Sequence, residues 1–89
     1  MSVTLPEPIE IAKFWKNRRH DAIVVSISTF EGRNLIDVRQ HFMNGEGKLQ
    51  PSPKGVAMTV LRLPDLHKAI TKALAKAQEL GLLESEDAS

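Results

Sequence analysis

The residues able to support acid–base or nucleophilic chemistry are few and scattered in this chain. It has no cysteine, and no serine, histidine and carboxylate fall into a nucleophile arrangement. The best acid–base pair is Asp37 with His41, which share one face of a predicted strand. A solvated surface pair is the favoured interpretation of these two residues. The sequence therefore predicts a protein that is not an enzyme.

Metal and cofactor binding are not predicted either. The three histidines, His20, His41 and His67, fall in a turn, a strand and the start of a helix, where ordinary surface roles are favoured. Gly45 and Gly47 are followed by no helix, so they indicate a turn rather than a dinucleotide fingerprint. We expect no metal, no cofactor and no small-molecule substrate.

Aromatic and basic side chains concentrate instead between residues 30 and 55. Phe30 and Phe42 offer aromatic rings. Gly55, directly after Lys54, allows the backbone to approach a phosphate closely. A basic groove with aromatic rings is typical of single-stranded nucleic-acid binding, because the rings stack on bases. The candidate phosphate contacts are Arg33, Arg39, Lys48 and Lys54.

Charge is distributed unevenly although the net charge is only +1. Between residues 13 and 54, eight Lys and Arg residues stand against four Asp and Glu, whereas the two ends of the chain are acidic. Arg18 and Arg19 belong to this basic middle. Such a distribution favours an anionic partner for the middle of the chain.

Apolar periodicity predicts three or four antiparallel strands followed by one helix. The two clearest strands form a hairpin around Gly32, which allows the positive φ of a tight turn. Pro64 and Gly81 mark the start and the stop of the helix. The predicted strands cover residues 9–16, 22–30, 34–43 and 56–63, the helix covers 64–80, and a turn-rich loop covers 43–55.

Side-chain alternation places the candidate residues on the two faces of the sheet. The odd-numbered aliphatic residues from 23 to 27 predict the core face of the second strand. Phe30 and Arg39 then project from the opposite face, whereas Phe42 has the parity of the aliphatic positions. A bulge is needed for Phe42 to join Arg39. Trp15 is expected in the core or in dimer packing.

One helix cannot cover both faces of such a sheet, and 89 residues without disulfides form only a small core. Dimerisation is a common way to supplement such a core. The apolar helix stripe is suited to internal packing, and its alanines also favour close packing against a second helix. The predicted homodimer interface comprises Leu66, Ile70, Ala73, Leu74 and Ala77.

The N-terminal segment lacks the basic start and the long apolar run that are typical of a secretory signal. We expect a flexible N-terminal arm over 1–8, one domain over 9–83 and an acidic disordered tail over 84–89. No apolar run approaches the roughly 18 residues needed to cross a membrane, and the lack of cysteine fits a reducing compartment. The prediction is a cytoplasmic protein, nucleoid-associated if bacterial.

The central stretch resembles the single-stranded-DNA-binding domain of the transcriptional positive cofactor four (coactivator p15-like) family. That family has an aromatic-x-Gly-basic turn, a Leu-Ile-Asp-Ile-Arg-like strand, an aromatic-Met pair, an acidic-Gly turn and a Lys-Pro-x-x-Lys-Gly loop. The corresponding segments are Phe30-Glu31-Gly32-Arg33, Leu35-Ile36-Asp37-Val38-Arg39, Phe42-Met43, Glu46-Gly47 and Gln50-Pro51-Ser52-Pro53-Lys54-Gly55. The similarity runs without gaps from 25 to 60, and the compact chain is similar to bacterial-type members.

The resemblance implies an α+β fold, in which a curved four-stranded antiparallel sheet is followed by one C-terminal helix in a symmetric homodimer. It also implies the roles of the central residues. The implied stacking residues are Phe30 and Phe42, the implied phosphate or base contacts are Arg33, Arg39 and Lys54, and Gly55 is implied to shape the loop.

Three positions depart from the family pattern. Ser28, Glu31 and Gln50 stand where the family often has basic residues, which predicts weaker binding with a flatter salt dependence. We expect the basic residues outside the motif to compensate. These are Arg18, Arg19 and Lys48.

The leading functional prediction is binding of single-stranded DNA, including melted duplex, with little sequence preference. The resemblance adds a role as a transcription coactivator or regulator in contact with the transcription machinery. RNA binding on the same face is one alternative. The other is a protein-interaction dimer that docks an acidic partner segment.

Overall fold

The computed structural model describes residues 3–83, and it shows four strands followed by one helix. The strands form an antiparallel sheet in the order β1-β2-β3-β4, so each strand pairs with its neighbours in sequence. This confirms the predicted four-stranded sheet with a C-terminal helix. The elements are β1 (Ile9–Trp15), β2 (Ala22–Phe30), β3 (Arg33–Met43), β4 (Leu49–Thr59), a 3-10 turn (Val60–Arg62) and α1 (Leu63–Glu79).

The β2–β3 hairpin closes through a two-residue turn. Its central residues, Glu31 and Gly32, both have positive φ, at 51° and 77°. Positive φ at both positions matches the right-handed twist of the flanking strands, which explains why glycine stands at the second position. The turn brings Phe30 directly opposite Arg33.

The predicted start of β4 was wrong, because the strand begins at Leu49 rather than near residue 56. Pro51 and Pro53 indicated a loop, since proline cannot donate to a strand ladder. β4 is, however, the edge of the sheet, where a missing N–H is tolerated. The β3–β4 register also shifts between Arg39 and His41, and the prolines lie in this irregular segment.

Alternation gives the sheet two distinct faces. We call the face that carries Ser26, Phe30 and Arg39 the groove face, and the face that carries Ile23 and Ile36 the aliphatic face. Within residues 3–83, the buried hydrophobic side chains are Ala22, Val24 and Ile36. The predicted core residues Ile23, Val25 and Ile27 are only half-buried.

The position of α1 explains this incomplete burial. α1 contacts chiefly the 3-10 turn that precedes it, rather than lying over a face of the sheet. The described part of the chain is accordingly flat, with extents of 43 × 39 × 19 Å. The helix ends as predicted: Gly81 has a φ of 76°, and the Leu82 N–H donates to the Ala77 carbonyl.

Residues 3–8 of the predicted arm form no strand, but hydrogen bonds connect them to the β2–β3 hairpin. The Leu5 N–H donates to Thr29 Oγ1 at 2.9 Å, and the Asn34 side-chain amide donates to the Val3 carbonyl at 2.8 Å. The Thr29 hydroxyl in turn donates to Asn34 Oδ1. The predicted acidic tail, 84–89, lies outside the described residues.

Two general features concern the described residues as a whole. None of their helices is long and apolar enough to cross a membrane. Between residues 3 and 83, no three His, Asp or Glu side chains come together in a group that could hold a metal ion.

Gly55 offers a direct test of the β3–β4 packing. A Cβ atom at this position would lie 2.7 Å from the Val38 carbonyl oxygen and 2.8 Å from Arg39 Cα, both backbone atoms that cannot rotate away. We expect Gly55→Ala to lower the free energy of unfolding by about 1 to 3 kcal/mol, the usual cost of overpacking. Urea denaturation at a fixed protein concentration measures this change.

Gly45→Ala is the matched control, because a Cβ atom there would meet nothing within 4 Å. We expect this variant to stay within about 0.5 kcal/mol of the parent protein. Equal unfolding midpoints for the two variants would show that β4 does not depend on close contact at Gly55.

Candidate nucleic-acid interface

An open groove of about 380 Å³ runs along the groove face. Its lining combines a ring, a charged pair and small hydroxyl side chains from β2 and β3, with Pro8 and β4 residues at its sides. Hydroxyl groups and an ion pair on a sheet face are unusual over a core but suit a polar ligand. The principal polar and aromatic lining residues are Ser26, Ser28, Phe30, Asp37, Arg39 and His41.

Phe30 lies at one end of this groove, where β2 enters the tight turn. Its side chain is 61% exposed, so the ring is not part of the core. Arg33 is exposed directly across the hairpin, which places a cation beside the ring. Parity predicted that Phe30 projects from this face, and the structure adds its direct pairing with Arg33 at the same end of the sheet.

Arg39 lies at the centre of the groove and is held from two sides. Its Nε and Nη2 donate to the two carboxylate oxygens of Asp37 at 3.1 and 2.9 Å, and its Nη1 donates to the Ser52 carbonyl at 3.0 Å. The hydrogen bonds that Arg39 donates to the Asp37 carboxylate, and then the negative charge of that carboxylate, raise the pKa of Arg39. Arg39 thus remains a cation whose orientation is fixed before any ligand arrives.

This fixed guanidinium keeps part of its hydrogen-bonding capacity. Three of its five N–H groups are used by Asp37 and Ser52, and two remain for a phosphate or a base acceptor. Because Asp37 neutralises the charge at short range, Arg39 offers directional hydrogen bonds more than net attraction. Asp37 was predicted on the same face, but its role in holding Arg39 was not.

Ser52 fixes the irregular part of β4 against β3. Its hydroxyl donates to the Gln40 carbonyl at 2.7 Å and accepts from the Lys54 N–H at 3.2 Å. The next residue, Gly55, pairs with Arg39 at the close approach described above. Gly55 therefore brings β4 near enough for the Ser52 carbonyl to reach Arg39. Lys54, which lies between Ser52 and Gly55 in the sequence, is exposed.

Phe42 is not brought to the groove. β2 pairs with β3 without a register shift as far as Ala22 and His41, and the extra residues of the irregular segment lie in β4. No bulge in β3 therefore reverses the parity of Phe42, which pairs with Gln50 and lies opposite the groove face. Its side chain is 42% exposed and does not line the groove.

The other candidate cations lie at the hairpin turns. Arg18 and Arg19 belong to the β1–β2 turn, and Lys48 to the β3–β4 turn, so these three lie at the end of the sheet opposite Phe30. All three are exposed. Arg39, which is paired with Asp37, thus lies at the centre of the groove. The exposed candidate cations lie near the ends of the groove and along its β4 side.

Comparison with known proteins agrees with this architecture. The sequence model of the family described as Transcriptional Coactivator p15 (PC4) matches residues 16–69, which include β2, β3, β4 and every candidate nucleic-acid residue. The crystal structure of BPSL1147, a PC4 homologue from Burkholderia pseudomallei, is similar in fold, with a TM-score of 0.68 and 22% sequence identity. The alignment covers 75% of this chain and 97% of that protein. Since the family match spans more than half of its residues, this chain belongs to the transcriptional coactivator p15 (PC4) family.

Proposed function

We propose that this protein binds single-stranded DNA in the groove with little sequence preference and acts as a coactivator-type regulator of transcription. The observation that carries the proposal is an exposed Phe30 ring sharing a groove with a pre-oriented Arg39. Family membership supports a nucleic-acid ligand. We also propose that the protein is cytoplasmic, and nucleoid-associated if it is bacterial.

The chemistry of the groove fits unpaired bases. A base stacked on a phenyl ring contributes about 1 to 3 kcal/mol, and every base has a face that can stack. Phe30 offers such a ring to solvent. In a duplex the bases are already stacked on one another, so the ring has no free face to meet. Single strands are therefore bound more tightly than duplex.

Charges determine how binding responds to salt. Each phosphate neutralised on a single strand contributes about −0.7 to the slope of log K against log salt. Arg39 contributes little to this slope because Asp37 already balances it. The exposed cations carry the salt dependence in this proposal. They are Arg33, Lys48, Lys54, Arg18 and Arg19.

We assign Phe42 a secondary role. Its ring faces away from Arg39, so it reaches a base only where a strand passes around the end of β3. Phe30 and Phe42 therefore form a natural pair for comparison, since both are exposed phenylalanines on the same hairpin.

A second copy of the chain is proposed to cover the apolar stripe of α1. Ile70 and Leu74 are four residues apart on this stripe and are 60% and 49% exposed. Burying such side chains against another helix contributes about 25 cal/mol for each Å² removed from water. The proposed interface comprises Leu66, Ile70, Ala73, Leu74 and Ala77, as the sequence predicted.

The binding proposal is tested with Phe30→Ala. We expect its affinity for a fluorescein-labelled oligo(dT) to fall roughly 5- to 150-fold, because one stacked base is lost. Fluorescence anisotropy measures the affinity, and thermal unfolding checks that the midpoint is nearly unchanged, since an exposed ring adds little to the core. Phe42→Ala is the matched control and should lose less affinity.

Competition experiments in the same assay define the ligand. Unlabelled duplex of the same sequence should compete weakly. Equal competition by duplex and single strand would overturn the stacking model, as would an unchanged affinity of Phe30→Ala. Single-stranded RNA and an acidic peptide are included as competitors. Tighter binding of either would reassign the groove to that ligand.

The dimer is tested with Leu74→Glu. A charge in the centre of the apolar stripe cannot be buried without a partner, so we expect this variant to sediment as a monomer where the parent protein sediments as a dimer. Lys72→Glu is the control, because it adds the same side chain to the same helix at an exposed position predicted on the polar face. A parent protein that sediments as a monomer would remove the proposed helix interface.

A further inference from the structure

Trp15, the single tryptophan of the chain, lies at the end of β1 and is 56% exposed. It pairs with Ala22 on β2, and Ala22 pairs with His41 on β3, which lines the groove. Residues in one cross-strand row share a face of the sheet. Trp15 was expected in the core or in dimer packing, but this register places it on the groove face, two strands from His41.

The neighbouring row continues the same surface. Lys13 pairs with Val24, and Val24 pairs with Arg39 at the centre of the groove. Adjacent strands lie about 4.8 Å apart, so Trp15 and Lys13 extend the groove face sideways by one strand width. Ala22 and Val24, which lie between the β1 and β3 residues of these two rows, are buried. The end of β1 and the groove thus form one continuous surface.

The indole ring is supported by His20. The two ring centroids lie 5.6 Å apart with an interplanar angle of 83°, an edge-to-face contact. His20 has a φ of 68°, a left-handed conformation that is unfavourable for a residue with a side chain. Such a conformation persists only where the surroundings enforce it.

Asn17 provides that enforcement in the β1–β2 turn. Its Oδ1 accepts from the N–H groups of Arg19 and Asp21 at 2.9 and 3.3 Å, and its side-chain amide donates to Asp21 Oδ2 at 3.0 Å. The Lys16 N–H also donates to the Asp21 carbonyl at 2.8 Å. The turn is therefore ordered, and it holds the imidazole against an exposed indole.

The charges around Trp15 identify the ligand chemistry. Three exposed cations, Lys13, Arg18 and Arg19, lie near it on β1 and in the turn. Lys16 does not belong to this group, because its Nζ donates to Gln40 on the aliphatic face. The nearby carboxylate, Asp21, is already engaged by Asn17. An exposed aromatic ring among cations is the pairing by which proteins bind unpaired bases and their phosphates. The family match begins at residue 16, so Trp15 lies outside the region that this chain shares with the family model.

We propose that Trp15, backed by His20, is a second stacking platform that takes a base from a single strand extending past the His41 end of the groove. The inference rests on the proposed function, since it supposes that a single strand occupies the groove. Phe30 and Trp15 then lie at opposite ends of β2, eight residues apart in the register. At about 3.4 Å per residue, the two rings are separated by roughly 27 Å along the sheet. Only a long oligonucleotide reaches both.

The test uses the intrinsic fluorescence of Trp15, which reports on this site alone because the chain has no other tryptophan. Oligo(dT) of about 4 and about 16 nucleotides, the range of common single-strand sites, is titrated into the full chain. We expect the longer oligonucleotide to quench the Trp15 emission and the shorter one to bind without quenching it. Anisotropy of the labelled oligonucleotides is recorded in parallel, so that binding is measured independently of the tryptophan.

Substitution of Trp15 separates stacking from general apolar contact. Trp15→Leu should weaken binding of the longer oligonucleotide roughly 5- to 150-fold and leave the shorter one unchanged, whereas Trp15→Phe should retain most of the affinity. Phe30→Ala, by contrast, should weaken binding of both lengths.

The outcomes distinguish this inference from the proposed function. If the parent protein binds no single strand, the proposed function fails. If it binds both lengths with unchanged Trp15 emission, or if Trp15→Leu binds the longer oligonucleotide as the parent does, only the second platform is overturned. The second platform is also overturned if Trp15→Leu sediments as a monomer where the parent protein sediments as a dimer, because Trp15 would then belong to the interface between copies.

Discussion

The close approach of β4 to β3 at Gly55 is the constraint on which the groove depends. A Cβ atom there would overlap the backbone of Val38 and Arg39, so glycine alone permits this spacing. The spacing lets the Ser52 carbonyl reach Arg39 while Asp37 holds its other side. A backbone contact thus determines the orientation of a side chain that reaches into the groove. Gly55 therefore shapes the groove through the position of Arg39.

The distribution of burial shows what the isolated chain lacks. A sheet with two apolar-containing faces needs cover on at least one of them, and α1 lies over neither. The aliphatic face is therefore half-exposed, and so is the helix stripe. The groove face is open for a different reason, since its hydroxyls and its ion pair are suited to water or a polar ligand. The proposed dimer and the proposed ligand thus use different surfaces, and one does not compete with the other.

Much of the fold followed from alternation and turn chemistry, because β2 and β3 are long strands with clear parity. That parity also placed Phe30 and Arg39 on one face. The start of β4 was missed because Pro51 and Pro53 signal a loop locally, whereas the edge of a sheet tolerates them. The bond from Arg39 to Ser52 joins residues 13 apart, and it depends on a register shift that no local pattern reveals. Trp15 is not in the core of the chain, although large aromatic residues are usually buried, and its position on the groove face follows only from the β1–β2 register.

The arrangement of charge along the groove separates two contributions to binding. At the centre, Asp37 balances Arg39, so that a ligand gains oriented hydrogen bonds there but little long-range attraction. The exposed cations Arg33 and Arg18 lie at opposite turns, where they attract a polyanion from solution and are screened by salt. In the proposed complex, the ends of the groove therefore govern the rate of encounter and the salt response. The rings, in contrast, govern the preference for unpaired bases, since stacking responds weakly to salt. High salt should then weaken all single strands alike while preserving their advantage over duplex.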